Sequence, residues 1–164
     1  MKTFKIIIFS FCTFCLNTSC SNDDEGSSNT VDTQYEVMLA FHNANPDMST
    51  VSWNPNETDV ALWSGVTIDS DGHITGITLI GPSGTPGTVY FRVIPPEVAQ
   101  LEYLTELVLM NNEISSVPEE IAQLSNLTLL DLRGNNISTI PQAVCNMETD
   151  YGTSIQIDAE VTCE

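Results

Sequence analysis

The sequence predicts an α/β solenoid: a short arc with parallel β-strands on its concave face, an N-terminal helical cap and a C-terminal strand cap. Three observations predict it. The first is a period. Leu104, Leu107, Leu109, Asn112, Ile114, Val117, Pro118, Ile121 and Leu124 recur 23 residues on (127 − 104 = 23) as Leu127, Leu130, Leu132, Asn135, Ile137, Ile140, Pro141, Val144 and Met147. A fixed step of this size is the signature of stacked supersecondary units. The second is local. Leu107 and Leu109 sit two apart and so share one face of a short strand, whereas Pro118 opens a different conformation by fixing φ after the bend. The third is energetic. One turn of this pattern cannot bury its own apolar set, so the turns must stack.

The spacing of Leu, Asn and the Ile/Val-Pro pair resembles the leucine-rich repeat family, in its class of about 23 residues per turn. The residues also speak for themselves. Asn112 and Asn135 stand where the chain leaves each strand and bends. An inward amide there can bond freed backbone groups of its own and the neighbouring turn, forming a structural ladder. Each such group left buried and unpaired costs about 1–3 kcal/mol.

The chain of 164 residues is long enough for one domain of moderate size. Taken in order, it divides into a signal peptide (1–19), an acidic flexible tether (20–31), an N-terminal cap (32–73), three repeats (74–147) and a C-terminal cap (148–164). Lys2 and Lys5 precede an eleven-residue apolar run, residues 6–16, too short to span a bilayer and fit for the apolar region of a signal peptide. Asn17-Thr18-Ser19-Cys20 then resembles the lipobox of bacterial lipoproteins, with Leu16 one position further back than that family's usual leucine. The resemblance implies cleavage before Cys20 and acylation of Cys20. Ser21-Asn22-Asp23-Asp24-Glu25 resembles the signal that exports some lipoproteins to the outer face of the outer membrane. It implies a lipid-anchored, cell-surface protein, with a periplasm-facing one as the alternative. Residues 21–30 contain no apolar side chain and read as a linker.

The five cysteines follow this division. Cys12 and Cys15 lie in the signal and Cys20 is the lipid site. Cys145 and Cys163 remain, available to each other in an oxidising compartment. The charge follows it too. With 22 acidic and 4 basic residues the net charge is −18, and loss of Lys2 and Lys5 makes it 2 − 22 = −20. Such a surface repels nucleic acid and anionic lipid, so membrane contact is expected through the lipid alone.

A helix is expected over residues 32–45. Thr33 and Glu36 form a capping box, Tyr35, Met38, Leu39 and His42 make one face with Phe41 beside it, and Asn45-Pro46 ends it. Trp53 and the run Trp63-Ser64-Gly65-Val66-Thr67 resemble the N-terminal cap of plant-type leucine-rich repeat receptors. Ala61 and Ile68 stand near where that cap has its cysteines. Without that disulfide, the helix, Trp53 and Trp63 are left to cover the first repeat. Residues 66–68 and 73–79 read as strands joined by the turn Asp69-Ser70-Asp71-Gly72. Two aspartates fall well short of an EF-hand set, so the turn is read as a turn and no metal or cofactor is expected.

Ile74, Ile77 and Leu79 begin the first repeat, which is longer (104 − 74 = 30). Its seven extra residues lie in the Gly/Pro-rich loop 81–87, with Pro82 in place of the ladder Asn. Such insertions sit on solenoid rims and often carry binding, although a tolerated surface loop is the simpler reading. The loop matches neither a phosphate loop nor a nucleophile elbow. At the far end, residues 154–158 alternate like a last strand, and a Cys145–Cys163 bond would staple it.

Residues between the inward leucines face the concave side. They are Gly76, Thr78 and Ile80, then Glu106, Val108 and Met110, then Leu129, Asp131 and Arg133, with Gln156 beyond. Val108, Met110 and Leu129 are expected to form an exposed apolar patch edged by Glu106, Asp131 and Arg133. In the family this face commonly binds protein. The expected function is therefore protein–protein interaction by a surface-tethered lipoprotein. The alternatives are an accessory subunit of an outer-membrane complex and, using Trp53 and Trp63 to stack sugars, a carbohydrate-binding module. No enzyme is expected: two histidines lie far apart, the cysteines pair, and no metal spacing occurs.

Overall fold

The computed structural model describes residues 28–47, 53–81 and 91–164, with the side chains of 28–32 outside the description. The signal, Cys20, most of the tether and loop residues 82–87 therefore lie outside the described residues. No described helix is long and apolar enough to cross a membrane.

Helix α1 (Ser28–Ala44) leads to the strands β1 (Val66–Ile68), β2 (Ile74–Thr78), β3 (Glu106–Val108), β4 (Leu129–Asp131) and β5 (Thr139–Ile140). Helix α2 (Gln142–Asp150), β6 (Ser154–Gln156) and β7 (Thr162–Cys163) complete the order. β1 pairs antiparallel with β2, and β2, β3, β4 and β6 are successively parallel, giving one five-stranded sheet. The register is the sequence period made solid. Ile77, Leu107, Leu130 and Ile155 stand side by side across the four parallel strands. Leu107, Leu109, Leu130 and Leu132 are all but inaccessible to solvent. Burying each such side chain is worth about 1.5–3 kcal/mol.

The opposite wall is built from single turns of 3₁₀ helix, Pro96–Gln100 and Glu119–Gln123, and from α2. Pro95, Pro118 and Pro141 precede them with φ of −70°, −68° and −57°, values the pyrrolidine ring already imposes. The 3₁₀ segments drop one residue each, Val98 and Ile121, into the core, and α2 drops two, Val144 and Met147.

Threonines at the strand entries tie the turns together. Thr105 Oγ1 donates to Thr75 O (2.8 Å) and Thr128 Oγ1 to Thr105 O (2.9 Å), alongside the backbone bonds Thr105 N to Thr75 O and Thr128 N to Thr105 O. These two threonines obey the same step (128 − 105 = 23).

The helix differs from its expected form. It begins at Ser28, so Thr33 lies inside it and is no N-cap. Residues 28–32 contain no proline or glycine, and a further turn adds hydrogen bonds at small cost in propensity. The buried face is also rotated: Gln34, Val37, Met38 and Phe41 are buried, whereas Tyr35, Leu39 and His42 are only half-buried. Gln34 decides this. Its amide donates to Gly72 O and accepts from Ile74 N, so a polar residue takes the central place over the hairpin. Asn45 is buried just beyond the helix. It donates to Phe41 O and Val93 O and accepts from the amides of Arg92 and Val93.

Trp53 and Trp63 lie inside this end, with ring centroids 5.1 Å apart, and Trp63 is 2% exposed. Their indole nitrogens donate to Ser64 O and Glu57 O. Neither ring presents a face to a sugar, and the carbohydrate-stacking alternative falls on that burial.

At the far end Cys145 and Cys163 form a disulfide, 18 residues apart. The structure adds two elements the sequence reading lacks: the segment after Pro141 is a full α-helix, and Cys163 belongs to β7, which pairs parallel with β5 in a separate two-stranded sheet. Closing a loop of this length is worth about 3 kcal/mol in the chain-entropy model. Replacing both cysteines by serine should lower unfolding stability by about that amount. The chain from Ser21 onward has only these two cysteines, so thiol titration of its denatured, unreduced form should find none. Two reactive thiols would contradict the staple.

Candidate functional site: the concave face of the sheet

The parallel register sorts the outward side chains into rows. Gly76, Glu106, Leu129 and Ser154 form one row, and Thr78, Val108, Asp131 and Gln156 the next. Ile80, Met110 and Arg133 follow at the strand ends, where Gly81 N bonds Met110 O and Asn111 N bonds Arg133 O.

Their exposure is uneven. Thr78, Ile80, Glu106 and Arg133 are exposed, and Ile80 keeps 56% of its surface. Val108, Met110 and Leu129 are half-buried rather than exposed. Strands about 4.8 Å apart place each of these side chains against a neighbour on either hand, and the neighbours cover their flanks. Gly76 is buried beneath the hairpin, where Thr67 would meet any Cβ at 3.3 Å.

Asp131 is the larger departure. It is 4% exposed, not part of an open rim. Arg133 folds over it, donating from Nε to Oδ1 (2.9 Å) and from Nη2 to Oδ2 (2.6 Å). The Arg133 hydrogen bonds, with its backbone amide and charge, hold the Asp131 carboxyl below the usual carboxylate range against the opposing pull of burial. The same pairing, with Asp158 nearby, pushes the guanidinium up. Asp158 in turn accepts from Gly134 N at 2.8 Å. Alternation along the strand predicted where Asp131 points; it did not predict a partner two residues away on the same strand end.

The other arginine, Arg92, is likewise engaged, by Glu113 at 2.9 Å and Asp47 at 3.5 Å. Both arginines of the chain are thus matched to carboxylates, and Glu106 stands on the concave face without an ion-pair partner among the described residues. The face that results is a strip of half-buried apolar groups, Val108, Met110 and Leu129, flanked by Ile80, Glu106 and the Arg133–Asp131 pair.

Beneath it, the amide ladder sets the bend. Asn112 is 5% exposed. Its Nδ2 donates to Leu79 O, Leu109 O and Met110 O at 2.8, 3.0 and 3.2 Å, and its Oδ1 accepts from Phe91 N at 3.1 Å. Asn135 repeats the arrangement one turn on, with Leu109 O, Leu132 O and Ile114 N. Each amide therefore joins its own turn to the preceding one.

The turn between β1 and β2 holds a second group. Asp69 Oδ1 accepts from Asp71 N and His73 N, and Asp69 Oδ2 lies 3.0 Å from His73 Nδ1. Counting carboxylates alone missed His73, which stands two residues beyond Asp71. An alternating Asp-x-Asp-x-His across a tight turn was the available signal.

The leucine rich repeat family model matches residues 91–148. A comparison with curated proteins gives no match. Among solved structures, the BIR3–SERK2 complex from Arabidopsis thaliana aligns with a TM-score of 0.58 at 21% identity, covering 77% of this chain and 68% of that one. The PEPR1–AtPEP1 structure aligns with a TM-score of 0.51 at 21% identity, covering 82% of this chain and 18% of that one. A plant ice-binding protein gives 0.55 at 21% identity, covering 84% of this chain and 40% of that one. At such identities the likeness is one of fold.

Proposed function

We propose that this chain, whose residues 91–148 are leucine-rich repeats, is a protein-binding module that engages its partner with the concave face of the sheet. The observation that carries the reading is the strip itself: Leu129, Val108 and Met110 run diagonally across three successive rows of two neighbouring strands, half-buried, with exposed Ile80 beside Met110 and charge at the border. An apolar centre with a polar rim is the composition of a binding face, and half-burial in the free protein pre-orders the side chains that bind. That the BIR3–SERK2 structure is a complex is consistent with this use of the fold.

Charge narrows the partner. A chain of net charge −18 whose two arginines are both paired favours a neutral or basic protein surface and disfavours nucleic acid. The proposal includes a tether. Lys2, Lys5, the apolar run and Ser19-Cys20 support a lipid anchor on Cys20, and the acidic residues that follow support display on the outer face of a bacterial outer membrane.

Affinity capture from the native cell envelope tests the reading. The unmodified chain should retain a defined protein, and Met110→Asp with Leu129→Asp should lose it at least tenfold, since each buries a charge worth about 2 kcal/mol or more at an interface. Unchanged capture of every partner by the double variant would sink the concave-face assignment. Capture of an intact membrane complex in mild detergent would identify the partner as that assembly.

A further inference from the structure

We propose that Asp69, Asp71 and His73 form a binding site for a divalent transition-type cation, of which zinc is the representative probe. The site is separate from the concave face and does not depend on the binding role assigned to it.

The three side chains converge. One donor atom from each, a nitrogen from His73 and an oxygen from each aspartate, lies within 4.8 Å of the other two. Zinc bonds of about 2.1 Å place neighbouring ligand atoms about 3–4 Å apart, a spacing close to that of the three donors. The closest pair, Asp69 Oδ2 and His73 Nδ1, already stands at 3.0 Å.

The donors are also held. Asp69 Oδ1 is committed to the amides of Asp71 and His73, which leaves Oδ2 turned toward the ring. Those amide bonds, that of His73 first, keep the Asp69 carboxyl below its usual range and therefore anionic. Gly72 takes φ +86°, which folds His73 back over Asp69. The imidazole is stacked on Tyr103, with centroids 3.7 Å apart and planes at 14°. A ring fixed between a phenol and a carboxylate loses little further freedom on taking a metal. A cavity of about 160 Å³, bordered by His73, Gln34, Leu101, Glu102 and Tyr103, adjoins the ring.

Ligand type sets the ion. One imidazole with two carboxylates suits zinc and its first-row neighbours, whereas calcium asks for six or more oxygens. With three protein ligands the site keeps at least one open position, which water or a group from a second protein can fill.

The test is titration of the chelator-treated chain with zinc chloride, in excess magnesium to occupy the scattered carboxylates. One zinc per chain is expected, and the His73 Nδ1 and Tyr103 ring resonances should move together in the nuclear magnetic resonance spectrum. His73→Gln and Asp71→Asn should each weaken binding by about tenfold or more, and His42→Gln should leave it unchanged. Asp71 is an exposed turn residue, so Asp71→Asn reports on binding without endangering the fold, and circular dichroism checks His73→Gln. No saturable binding, or affinity in the His73→Gln and Asp71→Asn variants unchanged from that of the unsubstituted chain, overturns the site.

Discussion

Asn112→Ala should destabilise the chain by about 3–5 kcal/mol in urea unfolding followed by tryptophan fluorescence. The side chain is buried and joins four backbone groups: the carbonyls of Leu79, Leu109 and Met110 and the amide of Phe91. Met110 O keeps the bond from Gly81 N and Leu109 O that from Asn135 Nδ2, so alanine strips the partner from Leu79 O and Phe91 N, at about 1–3 kcal/mol for each. Leu79 and Phe91 belong to the preceding repeat, so the loss falls on the junction between turns. Asn112→Asp should be no rescue. A carboxylate keeps the acceptor for Phe91 N but turns negative oxygen toward three carbonyls. Asn135→Ala should cost less, because Asn135 is only half-buried and water can replace part of what it provides. Equal effects at the two positions would refute the burial argument.

Gly81→Ala should destabilise by about 2–4 kcal/mol, although alanine is ordinarily a mild change. A Cβ on Gly81 would lie 1.6 Å from Asn111 O and 3.0 Å from Asn112 Oδ1. The first contact is with backbone, which cannot rotate away. The strand ends must part, stretching the bond from Gly81 N to Met110 O. Asn111 itself takes φ 58°, a left-handed conformation that asparagine tolerates and that aims its carbonyl at Gly81. Because Gly81 and Asn112 share the same few ångströms, the double variant Gly81→Ala with Asn112→Ala should cost less than the sum of the two. Additivity would place them in independent environments and contradict the contact.

Much of the fold was legible because its physics is periodic. The step of 23 residues fixed the strand register, and the prolines fixed where each turn crosses to the opposite wall. The antiparallel hairpin followed from alternation and the Asp-Ser-Asp-Gly turn. What escaped lies where a contact is specific to one place. Gln34 lies outside the helix face expected from Tyr35, Met38, Leu39 and His42, yet it is buried because two backbone groups of the hairpin meet it. Asn45 was read as a helix stop, and it is also the clasp that holds residues 92 and 93. β7 carries too little pattern in two residues to be seen, and it pairs with β5 beside the disulfide. The threonine ladder was visible at the repeat step but is weaker than the leucines that surround it.

The concave face shows the same boundary. Alternation placed its side chains in the correct rows, since a strand has only two faces. Their exposure depended on neighbours across the sheet. Asp131 was expected at an open rim and is instead covered by Arg133, while Val108, Met110 and Leu129 are half-buried by their neighbours.

Site-directed photocrosslinking tests the central claim most directly. A photoreactive residue at Ile80, Val108 or Met110 on the concave face, and at Glu119 or Glu148 on the opposite wall, would be introduced one at a time into the chain in its native cells. The account predicts one protein adduct of a single size from all three concave positions and none from the opposite wall. Adducts of that size from Glu119 or Glu148, with the concave positions silent, would contradict it.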